Sequence, residues 1–264
     1  MYAFKYHRAA SLNEAASLAG KGEAKLLAGG QSLVQAMKLR LASPSDLIDL
    51  GTLKELGGIK SDGKTVTVGA MARHAEVHHS ADVKKAIPAL AALAGMIGDR
   101  QVRAMGTCGG SIANNDPAAD YPAAALALNA TITTNKGKFE ADKFFTALYE
   151  TALKPGEIIT SVSFQVPKRA AYMKFKNPAS RYAIVGVFVA DFGGSVRVAV
   201  TGAGPCVFRQ TDMEKALSTK FAPESAAGVK QKKEGLNTDL HASAEYRAHL
   251  VTVMAKRAVE AALM

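Results

Sequence analysis

The chain contains no tryptophan, only two cysteines and 6% aromatic residues in 264 positions. Each scarcity excludes something. Cys108 and Cys206 stand about a hundred positions apart with no CxxC between them, so neither a disulfide framework nor a cysteine metal site is available. The apolar run Ala86 to Gly98 is short and interrupted by Pro88, too little to span a bilayer. The opening MYAFKYHRAA lacks an apolar stretch, so no secretory signal is expected there. Charge of one sign is in excess, 33 Lys and Arg against 23 Asp and Glu, yet it is scattered, with Lys230, Lys232 and Lys233 as the one dense group. Nucleic-acid binders gather charge on one face and interleave aromatics, and neither pattern occurs. The expected protein is a soluble, cytoplasmic one without a transmembrane segment or a nucleic-acid partner. Its composition, 48% apolar and 21% charged, is that of a globular chain, long enough to bury about three quarters of its unfolded surface.

Short strands and helices alternate in the first third. Ser11 to Glu14 reads as a capping box opening a helix that closes near Gly20. Lys25 to Ala28 is a short strand ended by Gly29 and Gly30. Leu33, Met37 and Leu41 then follow helical spacing until Pro44, and Leu47 to Leu50 is another strand. Asp62-Gly63 and Asn135-Lys136-Gly137 mark hairpins, as does Gly193-Gly194. Helical patterns run from about Ala70 to Gln101, broken near Pro88, Gly95 and Gly98. A small-residue stretch, Gly106 to Ala119, precedes an alanine-rich helix to Asn129. Glu157 to Val166 reads as a strand, Pro167-Lys-Arg169 as a boundary. Beyond it, Tyr172–Lys176, Ala183–Phe192 and Ser195–Gly202 are three strands, and a helix from Ser243 to Leu263 closes the chain. The expected fold is α+β. A two-part, non-Rossmann domain spans residues 1–167, with subdomains of about 1–55 and 56–167. A small three-stranded antiparallel sheet with C-terminal helices follows over 168–264.

Three motifs fail on context. Gly58 to Thr65 matches GxxxxGK[ST], but Val-Thr-Val after it is a strand, whereas phosphate binding there needs a helix. Gly109-Gly-Ser-Ile-Ala113 is one residue short of GxSxG and has no apolar strand leading into the serine. His74, His78 and His79 lack HExxH and a completing carboxylate, so solvated surface histidines are expected.

Two glycine turns carry more weight. Leu26 to Leu33 runs from a strand through Gly29 and Gly30 into a polar helix start. Gly106 to Ser111 leads to Asn114-Asn-Asp-Pro-Ala-Ala-Asp120. Glycines let a backbone approach a ligand and aim N–H groups at an anion, so two such turns fit a pyrophosphate-bearing cofactor. Neither matches GxGxxG.

AGGQSLVQAMKLRLASPSDLIDL (Ala28 to Leu50) and RQVRAMGTCGGSIANNDPAADYPAAALALNA (Arg100 to Ala130) resemble the FAD-binding medium subunits of molybdenum hydroxylases. Gly156 to Val162, Tyr172 to Lys176 and Gly202 to Arg209 extend the resemblance over nearly the whole chain. The resemblance implies FAD as cofactor and no catalytic side chain or bound metal in this subunit. The FAD diphosphate would lie on Leu27, Ala28, Gly29, Gly30, Gln31, Ser32 and Leu33, with Gly106, Thr107, Gly109, Gly110 and Ser111 completing the cradle. Asp120 would accept from a ribose or ribityl hydroxyl, Ile97 and Ile159 would pack on flat ring surface, and Lys176 would sit near the isoalloxazine carbonyl edge with Tyr182 beside the ring. It further implies an iron–sulfur small subunit and a molybdopterin large subunit as partners, assembled as a dimer of heterotrimers. The activity implied is electron transfer from iron–sulfur clusters to an external acceptor. A stand-alone FAD oxidoreductase and a scaffold that has lost flavin are the alternatives to be distinguished.

Overall fold

The computed structural model describes all 264 residues. Its first part is a three-stranded parallel sheet: β1 (Lys5–Arg8), α1 (Leu12–Ala19), β2 (Lys25–Leu27), α2 (Leu33–Lys38) and β3 (Asp46–Asp49), with β3 in the centre. Ser11 caps α1 by accepting from the Glu14 amide, and the Glu14 carboxylate reaches back to the Ala10 amide. This lobe has its own small core around Ile48, Leu53 and Leu56.

The second part is a five-stranded antiparallel sheet with a helical cover. β4 (Ile59–Ser61) and β5 (Thr65–Gly69) form the expected hairpin, with Gly63 at φ +84° and the Asp62 carboxylate accepting from the Lys64 and Thr65 amides. Five short helices follow: α3 (His74–His79), α4 (Ala81–Ala86), α5 (Pro88–Gly95), α6 (Arg100–Met105) and α7 (Cys108–Asn114). Pro88 starts α5 instead of merely breaking a longer helix, because a missing N–H costs nothing at a first turn. Next come α8 (Tyr121–Ala127), which is buried throughout, and the hairpin β6 (Thr131–Thr134) with β7 (Lys138–Glu140). A small ribbon, β8 (Phe145–Ala147) and β9 (Glu150–Thr151), leads to the central strand β10 (Ile159–Gln165), and the sheet order is β4-β5-β10-β6-β7.

The third part holds β11 (Arg169–Lys176), β12 (Ala183–Asp191), β13 (Val196–Thr201) and the two-residue β14 (Phe208–Arg209). The sheet is therefore four-stranded, not three-stranded as expected. Phe208 and Arg209 are too short a run to show period two, and pairing with Ala199 and Val200 is what extends them. β11 also begins earlier than Tyr172. All nine residues of β12 are buried, and alternation divides them between two cores. Phe188 and Ala190 face the helices of the second part, while Val185, Val187 and Val189 face the C-terminal helices. Those helices are α9 (Thr211–Thr219), α10 (Pro223–Ala227) and α11 (Ala244–Leu263), the last capped by Ser243 and packed across β11 and β12. A sheet covered on both faces reads as a continuous apolar run, as Ala-Ile-Val-Gly-Val-Phe-Val-Ala does. The largest core thus joins the second and third parts, and no helix is long and apolar enough to cross a membrane.

Candidate functional site

All three parts meet at one cavity of about 470 Å³, within the size range of cofactor sites. The turn after β2, the start of α7, the 116–120 loop, the start of β10, β11 and the 177–182 loop each contribute to its wall.

The two glycine turns lie against each other. A Cβ on Gly29 would stand 2.2 Å from Met105 O and 2.7 Å from Gly106 Cα, so only glycine allows this backbone contact. Their hydrogen bonding differs. In the first turn the amides of Gly29, Gly30, Gln31 and Ser32 donate to no protein acceptor, and Gly30 adopts φ +70°. Such a run of N–H groups beside a cavity is an anion nest. In the second turn the donors are spent internally: Gly106 to Val102 O, Cys108 to Ala72 O, Gly109 to Ala70 O, Gly110 to Thr107 Oγ1 and Ser111 to Thr107 O. The Thr107 amide and the Ser111 hydroxyl remain without protein partners. The glycines here make room: a Cβ on Gly109 would meet Ala70 Cβ at 2.5 Å, and one on Gly106 would meet His74 Nε2 at 2.6 Å. The expectation that both turns offer glycine amides therefore holds for the first turn alone, because α7 folds on the donors of the second.

Of the residues expected at the site, Ala28, Gly29, Gly30, Gln31, Ser32, Leu33, Ile97, Gly106, Thr107, Gly109, Gly110, Ser111, Asp120, Ile159 and Tyr182 line the cavity. Leu27 and Lys176 do not. Leu27 belongs to β2 and pairs with β3, and the register shift between Phe175 and Lys176 ends the alternation of β11. Lys174 takes the wall position instead, its Nζ 2.9 Å from Asp120 Oδ2 and 3.3 Å from Met96 O. The Tyr172 hydroxyl donates to the other Asp120 oxygen. Burial pushes the Asp120 carboxyl up, and the Lys174 ammonium opposes that. The wall also carries His74, which the sequence placed at the surface. It is buried, its ring 5.4 Å from that of Tyr121, and its Nδ1 has no partner. Burial, with the Arg103 guanidinium adding to it, draws its pKa down to about 4. Cys108 is the small buried side chain expected, and burial pushes its thiol up. Ile97, Ile159 and half-exposed Tyr182 add apolar side chains to the wall.

Residues 2–168 match the model of the FAD binding domain in molybdopterin dehydrogenase, and residues 170–262 match the CO dehydrogenase flavoprotein C-terminal domain. The chain belongs to this flavoprotein family. It is 36% identical to the carbon monoxide dehydrogenase medium chain of Hydrogenophaga pseudoflava, covering 98% of this chain and 96% of the relative. It is also 36% identical to the nicotine 6-hydroxylase medium subunit of Paenarthrobacter nicotinovorans, over 97% and 96% of the two chains. Among solved structures, reconstituted CO dehydrogenase from Oligotropha carboxidovorans superposes with TM-score 0.91 at 32% identity, covering 99% of this chain and 98% of that one. This flavoprotein is thus an FAD-binding medium subunit of the molybdenum hydroxylase group and an oxidoreductase component. The cavity fits that cofactor on its own chemistry. Unpartnered amides suit a pyrophosphate, hydroxyl and carboxylate groups suit sugar hydroxyls, and flat apolar surface suits the ring system.

Proposed function

We propose that this subunit holds FAD with its diphosphate on the amides of Gly29, Gly30, Gln31 and Ser32, and joins an iron–sulfur chain and a molybdopterin chain in a dimer of heterotrimers. Asp120 accepts a ribose or ribityl hydroxyl. Thr107 and Ser111 contribute a main-chain and a side-chain donor from the facing turn, and Ile97, Ile159 and Tyr182 enclose the ring. Lys176 is left out of this pose, and Lys174 stands in the wall paired with Asp120. Bound FAD supplies the exchange between one-electron clusters and an external acceptor. The protein supplies binding, orientation and charge, so no nucleophile or acid–base pair is required of it. Residues 1–167 form the cofactor-binding domain and 168–264 the smaller one, in a complex placed in the cytoplasm.

The observation that carries this reading is the run of four unpartnered amides at the cavity wall. Purifying the native complex, weighing each chain and recording its visible spectrum tests it. Three kinds of chain and a flavin spectrum are expected, with no substrate-driven bleaching of the FAD-loaded isolated chain. Bleaching without partners would establish a stand-alone oxidoreductase, and a chain that stays colourless in FAD would establish a scaffold.

A further inference from the structure

The cavity wall contains a buried ion pair. Lys174 Nζ and Asp120 Oδ2 lie 2.9 Å apart with side chains only 1% and 5% exposed. The second Asp120 oxygen accepts from the Tyr172 hydroxyl. The arrangement is built in from several directions. Tyr172 and Lys174 project from the same face of β11, two residues apart, while Asp120 precedes α8. Space for Tyr172 comes from Gly186 on the neighbouring strand, where a Cβ would lie 2.2 Å from the tyrosine oxygen. Met96 O takes a further Lys174 hydrogen. A carboxylate this buried is costly as an anion unless paired, and as a neutral acid it loses acceptor capacity.

Resting on the proposed FAD pose, we infer that Lys174 is a positioning residue for cofactor binding: with Tyr172 it holds Asp120 ionised and oriented as the acceptor for a flavin-nucleotide hydroxyl. A carboxylate offers about four lone-pair sites, so two internal partners leave room for that hydroxyl. The other titratable groups near Asp120 are Asp116, Tyr121 and Tyr182. Burial and, to a smaller degree, Asp116 raise the Asp120 carboxyl; Lys174 and then Tyr172 lower it. Burial raises both tyrosines, keeping them neutral near pH 7. His74, on the same wall, is already neutral above about pH 4.

The test is FAD affinity of the full chain, read by quenching of flavin fluorescence from about pH 6 to pH 9. Wild type is expected to bind with little pH dependence. Lys174→Met is expected to bind roughly 10–100-fold more weakly near neutral pH and to recover as pH rises and Asp120 ionises unaided. Lys174→Arg restores the flat profile, and Asp120→Asn is weak at every pH. Equal affinity of wild type and Lys174→Met, or a loss in Lys174→Met that is flat with pH, overturns the inference. Where Lys174→Met does not fold, Asp120→Asn is compared with the double variant Asp120→Asn, Lys174→Met. Equal affinities support action through Asp120, and a further loss in the double variant shows direct contact with FAD and overturns it. A wild-type chain that binds no FAD fails the pose itself, which separates that failure from the failure of Lys174 to position.

Discussion

The two glycine turns look alike in sequence and work differently in the fold. Ala28 to Leu33 leaves a succession of amides free, whereas Gly106 to Ser111 gives nearly all of its amides to α7, α6 and the residues Ala70 and Ala72 that follow β5. One turn supplies donors. The other supplies closeness, letting the backbone of α7 settle on Ala70 and the first turn settle on Gly106. A glycine-rich segment therefore has two separable meanings, and hydrogen-bond accounting tells them apart.

The largest expected effect comes where the turns touch. Gly29→Ala places a methyl 2.2 Å from a main-chain oxygen that cannot swing away. Overpacking of this kind costs about 3 kcal/mol, so thermal denaturation should show a clear fall in Tm together with loss of FAD binding. A variant that keeps both would show that the turns are not in contact.

His74 forms the floor of the Gly106 turn. His74 is neutral in the fold down to about pH 4, against an ordinary value of 6.5. The unfolded chain therefore binds the proton first, and stability present above pH 6.5 is lost as pH falls toward 4. The loss amounts to about 3 kcal/mol. Denaturant titrations across that window should show this slope in wild type and a shallower one in His74→Asn. Identical slopes would remove His74 from the account.

Thr107→Val tests the cap that holds the second turn. Thr107 Oγ1 accepts from the Gly110 amide at 3.2 Å, and losing such a cap costs about 1 kcal/mol. Chemical denaturation should register that loss, and an unchanged midpoint would show that the cap is idle. The smallest effect belongs to Ser111→Ala. The hydroxyl has no protein partner, so FAD affinity should fall by about 1 kcal/mol with no change in Tm. A fall in Tm instead would make Ser111 structural.

Much of this fold was legible because local chemistry and tertiary structure agree. Asp62-Gly63 turns as its residues require, Ser243 caps the last helix, and the apolar run from Ala183 is a strand covered twice. The place of the first turn, where a strand runs through two glycines into a helix on the cavity wall, was legible for the same reason. Cys-Gly-Gly-Ser-Ile-Ala-Asn was not legible as helix α7, since two glycines disfavour a helix. It forms because Thr107 caps it and its glycines fit against Ala70. The burial of His74 was hidden by the polar stretch His-Ala-Glu-Val-His-His, and only packing against Tyr121 and Gly106 encloses it. Lys176 was expected at the site from the family resemblance, and Lys174 was not considered, although both stand at alternate positions of one strand. The irregularity after Phe175 separates them.

The division of labour between the turns is tested most directly by amide NMR of the ¹⁵N-labelled chain titrated with FAD. The account predicts large downfield shifts for Gly29, Gly30, Gln31 and Ser32, with Gly109 and Gly110 nearly still. Shifts confined to Gly109 and Gly110, with the residues after β2 unmoved, would contradict it.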